Sequence, residues 1–340
     1  MVIRLGVIRG QNISPRDSAN YMALEEHGVE PILIGMFQDG VYDRTANREE
    51  TFYTRTREIE SFDEIEPGQY DIIDVVSLSN YLGSEHGASV CDKVIPVIAE
   101  NRHPSNADPP SPLIMSKYSH CLCYTKDSFR YAELAGITRK TQIYPSVNLE
   151  VFHPRDKPKD WSGLRVLFNA RPTWEKGFPY VVACANMNPD VEFYFRSSMN
   201  DANKELLPEN CHYVPEMPYH KLADLYRTVD VLVHPANNNT VPYWEQWGNV
   251  LLEALASGLY VVSTSNGTIP EILKGTESTI IPQKNAEGGL IKAIDSINMG
   301  FVDISKACKI NRDVASYRFN PAINCMRYSW IVEQIMGVSR

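Results

Sequence analysis

Short apolar runs of strand character alternate with longer helix-like stretches along this chain, and the alternation starts afresh after a polar, proline-bearing segment at 153–161. Parallel strands need crossover helices between them and are covered on both faces, so this pattern specifies an α/β fold with parallel sheets. In the first half, strands are expected over 2–9, Pro31–Met36, Asp71–Val76, Val94–Ala99 and Lys117–Tyr124. Helices are expected over 16–27, closed by Gly28, and over Asp127–Leu134, closed by Gly136. The second half repeats the theme with strands at Arg165–Phe168, Val191–Phe195, Val229–Val233 and Leu259–Ser263.

A chain of 340 residues exceeds one ordinary core and suits two domains of about 150 residues each. The apolar fraction of 43% suffices for both cores. We place one domain at 1–155 and a second at 164–318, with 319–340 as a C-terminal helix, amphipathic over Arg327–Met336, that packs back toward the first domain. The stretch His153–Trp161 is the expected linker, and the proline-rich 104–113 an expected loop.

A net charge of −9 lacks the basic footprint of a nucleic-acid binder. Val250–Val262, the longest apolar stretch, is too short to span a bilayer and carries Glu253. Met1 runs directly into strand-like residues without a secretory signal. Seven scattered cysteines, an odd number, fit reduced thiols, and together these features point to the cytoplasm. Cys121 and Cys123 alternate along a strand and share a face, with no second pair at a zinc-like spacing, so no metal site is expected.

The most informative segment is Glu245-Gln246-Trp247-Gly248-Asn249-Val250-Leu251-Leu252-Glu253-Ala254-Leu255-Ala256-Ser257-Gly258. A helix starting near Gly248 and ending before Gly258 gathers Leu251, Leu252, Leu255 and Ala256 on one face and sets Asn249 one turn from Glu253. Its first-turn amides are unpaired donors at the positive end of the helix dipole, and Gly248 leaves room for an anion: a recipe for holding a diphosphate. An acidic residue one turn further in suits sugar hydroxyls. A surface carboxylate pair beside a core helix would leave the Trp-Gly step and the Glu-Ala-Leu-Ala-Ser-Gly run unexplained.

This segment resembles the donor-site signature of retaining glycosyltransferase family 4, Glu-x-[Phe/Trp]-Gly-x-x-x-x-Glu-Ala-x-Ala. Further similarity lies in Phe168-Asn169-Ala170-Arg171-Pro172-Thr173-Trp174-Glu175-Lys176-Gly177, in 219–235 and in Ser265-Asn266-Gly267-Thr268-Ile269-Pro270-Glu271-Ile272. The resemblance covers roughly residues 70–285. It implies the GT-B fold: two Rossmann-like domains whose parallel sheets face a cleft, the first binding acceptor and the second binding the nucleotide sugar. It also implies roles. Glu245 contacts the donor sugar and Glu253 the ribose. Gly248, Asn249, Val250 and Leu251 face the diphosphate, and Arg171 and Lys176 clamp it as it leaves. Tyr213 and Val214, in a loop at 212–216, hold the base, and Gly267 approaches the donor. In the first domain it implies Gly10 near the donor phosphate and His103 beside the transferred sugar, with Arg102 and Arg130 as lesser candidates. Asp230 is read as a structural connector and Glu271 as a brace. Departures include Ala170 for a glycine, Arg196-Ser197-Ser198 for a glycine-rich turn, and a long 235–245 loop.

The expected function is therefore a retaining transfer from a UDP- or GDP-linked sugar to an unidentified glycan, lipid or small-molecule hydroxyl. The resemblance implies no cofactor beyond that co-substrate and no metal, and the lack of an Asp-x-Asp pair where the diphosphate would bind fits this. A lipid acceptor would bring the protein to a membrane surface. The rival readings are an epimerase or phosphorylase on the same fold, and a nucleotide-sugar binder without activity. A dehydrogenase is disfavoured because no Gly-x-Gly-x-x-Gly follows the first strand.

Overall fold

The computed structural model describes residues 2–10, 19–36, 56–59, 62–75, 88–93, 95–101, 116–134, 136–239 and 243–338. The chain divides into two compact units, Met1–Ser146 with Phe319–Arg340, and Val147–Arg318.

The first unit holds a parallel sheet of β1 (Ile3–Gly10), β2 (Val29–Met36), β3 (Thr56–Ile59), β4 (Ile72–Val75), β5 (Val97–Asn101), β6 (His120–Cys123) and β7 (Lys140–Gln142), in the order β3-β2-β1-β4-β5-β6-β7. The short strands β3 and β7 carry too few apolar residues to stand out in the sequence. Side chains alternate between faces: Ile3, Leu5 and Val7 enter one core, and Ile8 enters the other. Helix α1 (Lys126–Leu134) follows β6. The stretch before Gly28 is not a continuous helix. Residues 19–24 form turns, and a single 3-10 turn, Glu25–His27, ends at Gly28 in the left-handed conformation.

The C-terminal helix, numbered α9 below, spans Pro321–Met336 and so begins earlier than Arg327. Asn320 caps it by accepting from the Ala322 amide at 2.9 Å, and Pro321 occupies the first turn, where a missing N–H costs nothing. Its Cys325, Tyr328, Ile331 and Val332 join the Ile3–Leu5–Val7 core. Asp74, fully buried on β4, accepts from Tyr328 at 2.7 Å and Tyr21 at 3.0 Å, as a buried carboxylate requires. Cys121 and Cys123 are both buried, with sulfurs 3.9 Å apart, and the contact with Cys123 together with burial raises the Cys121 pKa and keeps it a thiol.

The second unit has β8 (Arg165–Asn169), β9 (Glu192–Arg196), β10 (Cys211–Val214), β11 (Val231–His234), β12 (Tyr260–Thr264) and β13 (Ser278–Ile281), all parallel, in the order β10-β9-β8-β11-β12-β13. Its helices are α2 (Phe178–Met187), α3 (Asp201–Lys204), α4 (Tyr219–Arg227), α5 (Asn249–Ala256), α6 (Ile269–Ile272), α7 (Ala286–Asn298) and α8 (Ile304–Arg318). The segment 153–161 is part of this unit and does not separate two units. Asp230, 5% exposed, holds it there: it accepts from Arg155 at 3.0 Å and from the Trp161 indole at 3.3 Å, while Arg155 and Arg165 each stack 4.6 Å from the Trp161 ring. Asp230 is thus a structural brace, and so is Arg312 on α8. Its guanidinium donates to the carbonyls of Phe152 (2.6 Å), Ala256 (2.8 Å) and Leu149 (3.1 Å), tying the last turn of α5 to the start of the unit.

Candidate functional site

The strand order reverses direction at β8. From it the chain steps outward through β9 and β10, then returns to β11 on the other side and continues to β13. The two connections leave the carboxyl ends of β8 and β11 in opposite directions and open a crevice there, the place where open α/β sheets bind ligands. The residues that end these strands are polar after apolar runs: Asn169 on β8, Arg196 on β9 and His234 on β11.

Glu245 lies in this crevice, 5% exposed. One carboxylate oxygen, Oε2, accepts from Lys176 Nζ at 2.7 Å and from His234 Nε2 at 2.8 Å. Burial alone would raise the Glu245 pKa, but the His234 hydrogen bond and the charges of His234 and Lys176 outweigh it and hold the carboxyl well below its usual range. Lys176 also donates to the Tyr243 hydroxyl, whose ring lies 4.8 Å below the ammonium. Burial and the neighbouring Glu245 charge push the Tyr243 phenol far up, so it stays protonated.

The backbone places these groups by close approach. The Glu245 amide donates to Asn266 Oδ1 at 2.7 Å, and its carbonyl accepts from the Thr268 amide at 3.0 Å and hydroxyl at 3.1 Å. Gly267, at φ +54°, lies so near the Glu245 backbone that a Cβ would collide with it. On the other side, Gly177 (φ +76°) packs against the Pro235 carbonyl with no room for a Cβ, and Asn237, fully buried, bonds the 174–175 turn through its amide to Glu175 O (2.9 Å) and its side chain to Trp174 O (2.8 Å). Together they aim Lys176 at Glu245.

Helix α5 starts beside Glu245 with Gly248 as its N-cap. The Asn249 and Leu251 amides are spent internally, on Trp247 O (3.1 Å) and Gly248 O (2.8 Å). The Gly248 and Val250 amides have no partner among the described residues. Glu253, one turn further, is 1% exposed and accepts from Tyr226 at 2.9 Å. Two free amides at a helix start, a cation and two buried carboxylates make a site suited to a diphosphate joined to hydroxyl-bearing groups.

Residues 166–298 match the family model described as Glycosyl transferases group 1. The match spans β8 through α7, and so contains every residue of this site. Over 232 residues the chain is 22% identical to the phosphatidylinositol N-acetylglucosaminyltransferase gpi3 subunit of Schizosaccharomyces pombe, covering 64% of this chain and 47% of that one. The chain spans about half the length of the curated relatives it matches. Among solved structures it resembles sucrose-phosphate synthase from Thermosynechococcus elongatus (TM-score 0.75, 16% identity, 99% and 100% of the two chains). It also resembles HepE of Anabaena, solved with UDP and glucose (TM-score 0.73, 15% identity, 98% and 100%). These neighbours and the two parallel sheets define a GT-B, two-domain α/β fold.

The structure brings together Glu245, Lys176, Gly248, Val250 and Glu253 and leaves other expected residues apart. Arg171 pairs with Glu175 at 3.9 Å rather than with Glu245, and its side chain is 68% exposed. Leu251 contributes neither a free amide nor an exposed side chain. The Cβ absent from Gly248 would fall 2.9 Å from Leu251 Cδ1, so packing as well as anion clearance asks for glycine there. Tyr213 and Val214 belong to strand β10, not to a loop, and Tyr213 packs on the core beneath Lys204, whose ammonium is 4.9 Å from its ring. Gly267 approaches Glu245. Gly10 ends β1, and Arg130 is exposed on α1. His103 and Arg102 lie outside the described residues. The sequence reading missed His234, Tyr243, Asn237, Asn169 and Tyr226. The available signal for Asn169 and His234 was a polar residue closing an otherwise apolar strand. Among the described residues no group of His, Cys, Asp and Glu is placed to hold a metal, and no helix is long and apolar enough to cross a membrane.

Proposed function

We propose that this protein is a retaining glycosyltransferase that moves a sugar from a UDP- or GDP-linked donor to a hydroxyl acceptor without a metal ion. The observation that carries the reading is the junction of Glu245, Lys176 and the unpartnered Gly248 and Val250 amides at the switch point of the second sheet. The match to group 1 glycosyl transferases over this same stretch supports it.

In this reading the Gly248 and Val250 amides take the donor diphosphate, and Glu253 takes the ribose. Glu245, fixed by His234 and Lys176, orients the transferred sugar. The bond from the anomeric carbon to the phosphate oxygen breaks, and the acceptor oxygen bonds to that carbon on the same face. The acceptor's proton passes to the departing phosphate oxygen. Lys176 and the helix amides offset the charge that builds on the diphosphate, each such contact being worth about 2.7–4 kcal/mol in comparable sites. Arg171, exposed as it is, joins only by swinging inward onto the bound diphosphate. The first unit binds the acceptor, with Gly10 near the donor phosphate and His103 beside the transferred sugar, and the protein works in the cytoplasm or at its membrane surface.

The test is turnover of UDP-glucose, UDP-N-acetylglucosamine and GDP-mannose in EDTA, read as nucleoside diphosphate release, with product anomers assigned by NMR. Metal-free turnover that is lost in Glu245→Gln and yields the donor's own anomer supports the reading. An inverted anomer sinks the retaining step. Epimerised donor, or phosphate-dependent cleavage, makes the protein another enzyme on this fold.

A further inference from the structure

Behind Glu253 runs a line of buried polar groups that the proposed reaction does not use directly. Tyr226, fully buried, donates to Glu253 Oε2 at 2.9 Å. Its oxygen accepts from Asn169 Nδ2 at 2.9 Å. Asn169 Oδ1 lies 3.5 Å from Arg196 Nη1. The Tyr226 ring is wedged edge-on against Phe152, with centroids 5.4 Å apart at 84°, so the hydroxyl has little freedom. The Val250 carbonyl lies 3.5 Å from the same hydroxyl, but the Glu253 oxygen at 2.9 Å is the nearer and, as a carboxylate, the stronger acceptor.

The proton direction along this line is set from one end. A guanidinium only donates, so Asn169 turns its carbonyl to Arg196 and its NH2 to Tyr226. The tyrosine oxygen then accepts, and its own proton points at Glu253. We propose that Tyr226, oriented by Asn169 and Arg196, is a positioning residue for Glu253, and that the line sets how strongly the site prefers a ribonucleoside diphosphate over its 2′-deoxy form. This inference rests on the donor-site reading above. Arg196 stands where the resembled family carries a glycine-rich turn, so the device belongs to this chain's own sequence.

The experiment is calorimetric binding of UDP, GDP and their 2′-deoxy counterparts to the wild type, Tyr226→Phe and Asn169→Asp. Tyr226→Phe keeps the ring and deletes the proton. Asn169→Asp keeps the shape but offers only acceptors, which draws the tyrosine proton away from Glu253. The readout is the ratio of ribo to deoxy affinity within each protein, which a general loss of stability leaves unmoved. A wild-type preference for the ribo form that falls about tenfold in both variants, the size of one hydrogen bond to a charged group, is the expected result. Arg196→Met, which frees the Asn169 amide to rotate, should lower the ratio less. An unchanged ratio in Tyr226→Phe and Asn169→Asp overturns the inference alone and leaves Tyr226 a packing residue. Failure of the wild type to bind UDP or GDP overturns the donor reading, and the inference with it.

Discussion

Lys176→Met isolates the contact on which the site is built. The ammonium and the Glu245 carboxylate are 2.7 Å apart, with side chains 14% and 7% exposed. Removing one partner of a buried pair strands the other, at a cost of about 3–5 kcal/mol. Here His234 stays 2.8 Å from the same oxygen and retains part of the compensation, which places the expected loss near the lower end, about 3 kcal/mol. For a unit of this size that is a fall in melting temperature of roughly 6–12 °C. Glu245→Gln should cost less, because Lys176 keeps the Tyr243 hydroxyl and some solvent. The double variant leaves no stranded charge and should be more stable than Lys176→Met alone, with a coupling of about 2 kcal/mol or more. Urea unfolding followed by tryptophan fluorescence reads this unit selectively, since Trp161, Trp174, Trp244 and Trp247 lie in it and only Trp330 lies in the other. A Lys176→Met variant within about 0.5 kcal/mol of wild type, or strictly additive single variants, would refute the buried-pair argument.

Gly267→Ala and Gly275→Ala form a matched pair. Both glycines have positive φ, +54° and +81°, but only at Gly267 does a Cβ strike another backbone, that of Glu245. Each should lose about 1–2 kcal/mol from conformation, Gly267→Ala should lose more, and only it should weaken binding of a nucleoside diphosphate in a thermal-shift titration. Arg312→Met should destabilise the second unit by about 2–3 kcal/mol by leaving three carbonyls unanswered, and Arg312→Lys should not restore it, because an ammonium lacks the planar fork. The depressed Glu245 pKa fixes a pH dependence. The unfolded carboxyl binds its proton near 4.5 and the folded one only at lower pH. Its contribution is therefore complete above that value and lost as pH falls below it. The stability of wild type should drop more steeply than that of Glu245→Gln as pH is lowered from 5 to 3 in urea titrations, and parallel curves would deny Glu245 that role.

What could be read from the sequence divides along a physical line. The strands that carry apolar runs are read directly: β1, β2, β4, β5, β6, β8, β9, β11 and β12 lie within a few residues of their expected places. So does helix α5, whose glycine boundaries and apolar face are local properties. Edge strands escape because β3, β7, β10 and β13 need only one neighbour and a covered face, and a segment such as Cys211-His212-Tyr213-Val214 carries too little apolar alternation to declare itself. The same division runs through the site. Glu245 and Glu253 are legible because they share one short segment with a helix start. Lys176 is named by its own motif, but its contact with Glu245 spans 69 positions, and His234, Tyr226 and Asn169, which escaped, reach the glutamates across 11, 27 and, through Tyr226, 57 positions of chain. Such contacts exist only once the sheet has set β8 beside β11, and no local spacing encodes them. Arg171 and Lys176 show the limit most clearly. Five positions apart in one motif, they look like equal halves of a clamp, yet the tight turn pinned by Gly177 and Asn237 turns Lys176 inward and leaves Arg171 in solvent. A motif names which side chains are available to a site; the packing of the loops around it decides which of them arrive.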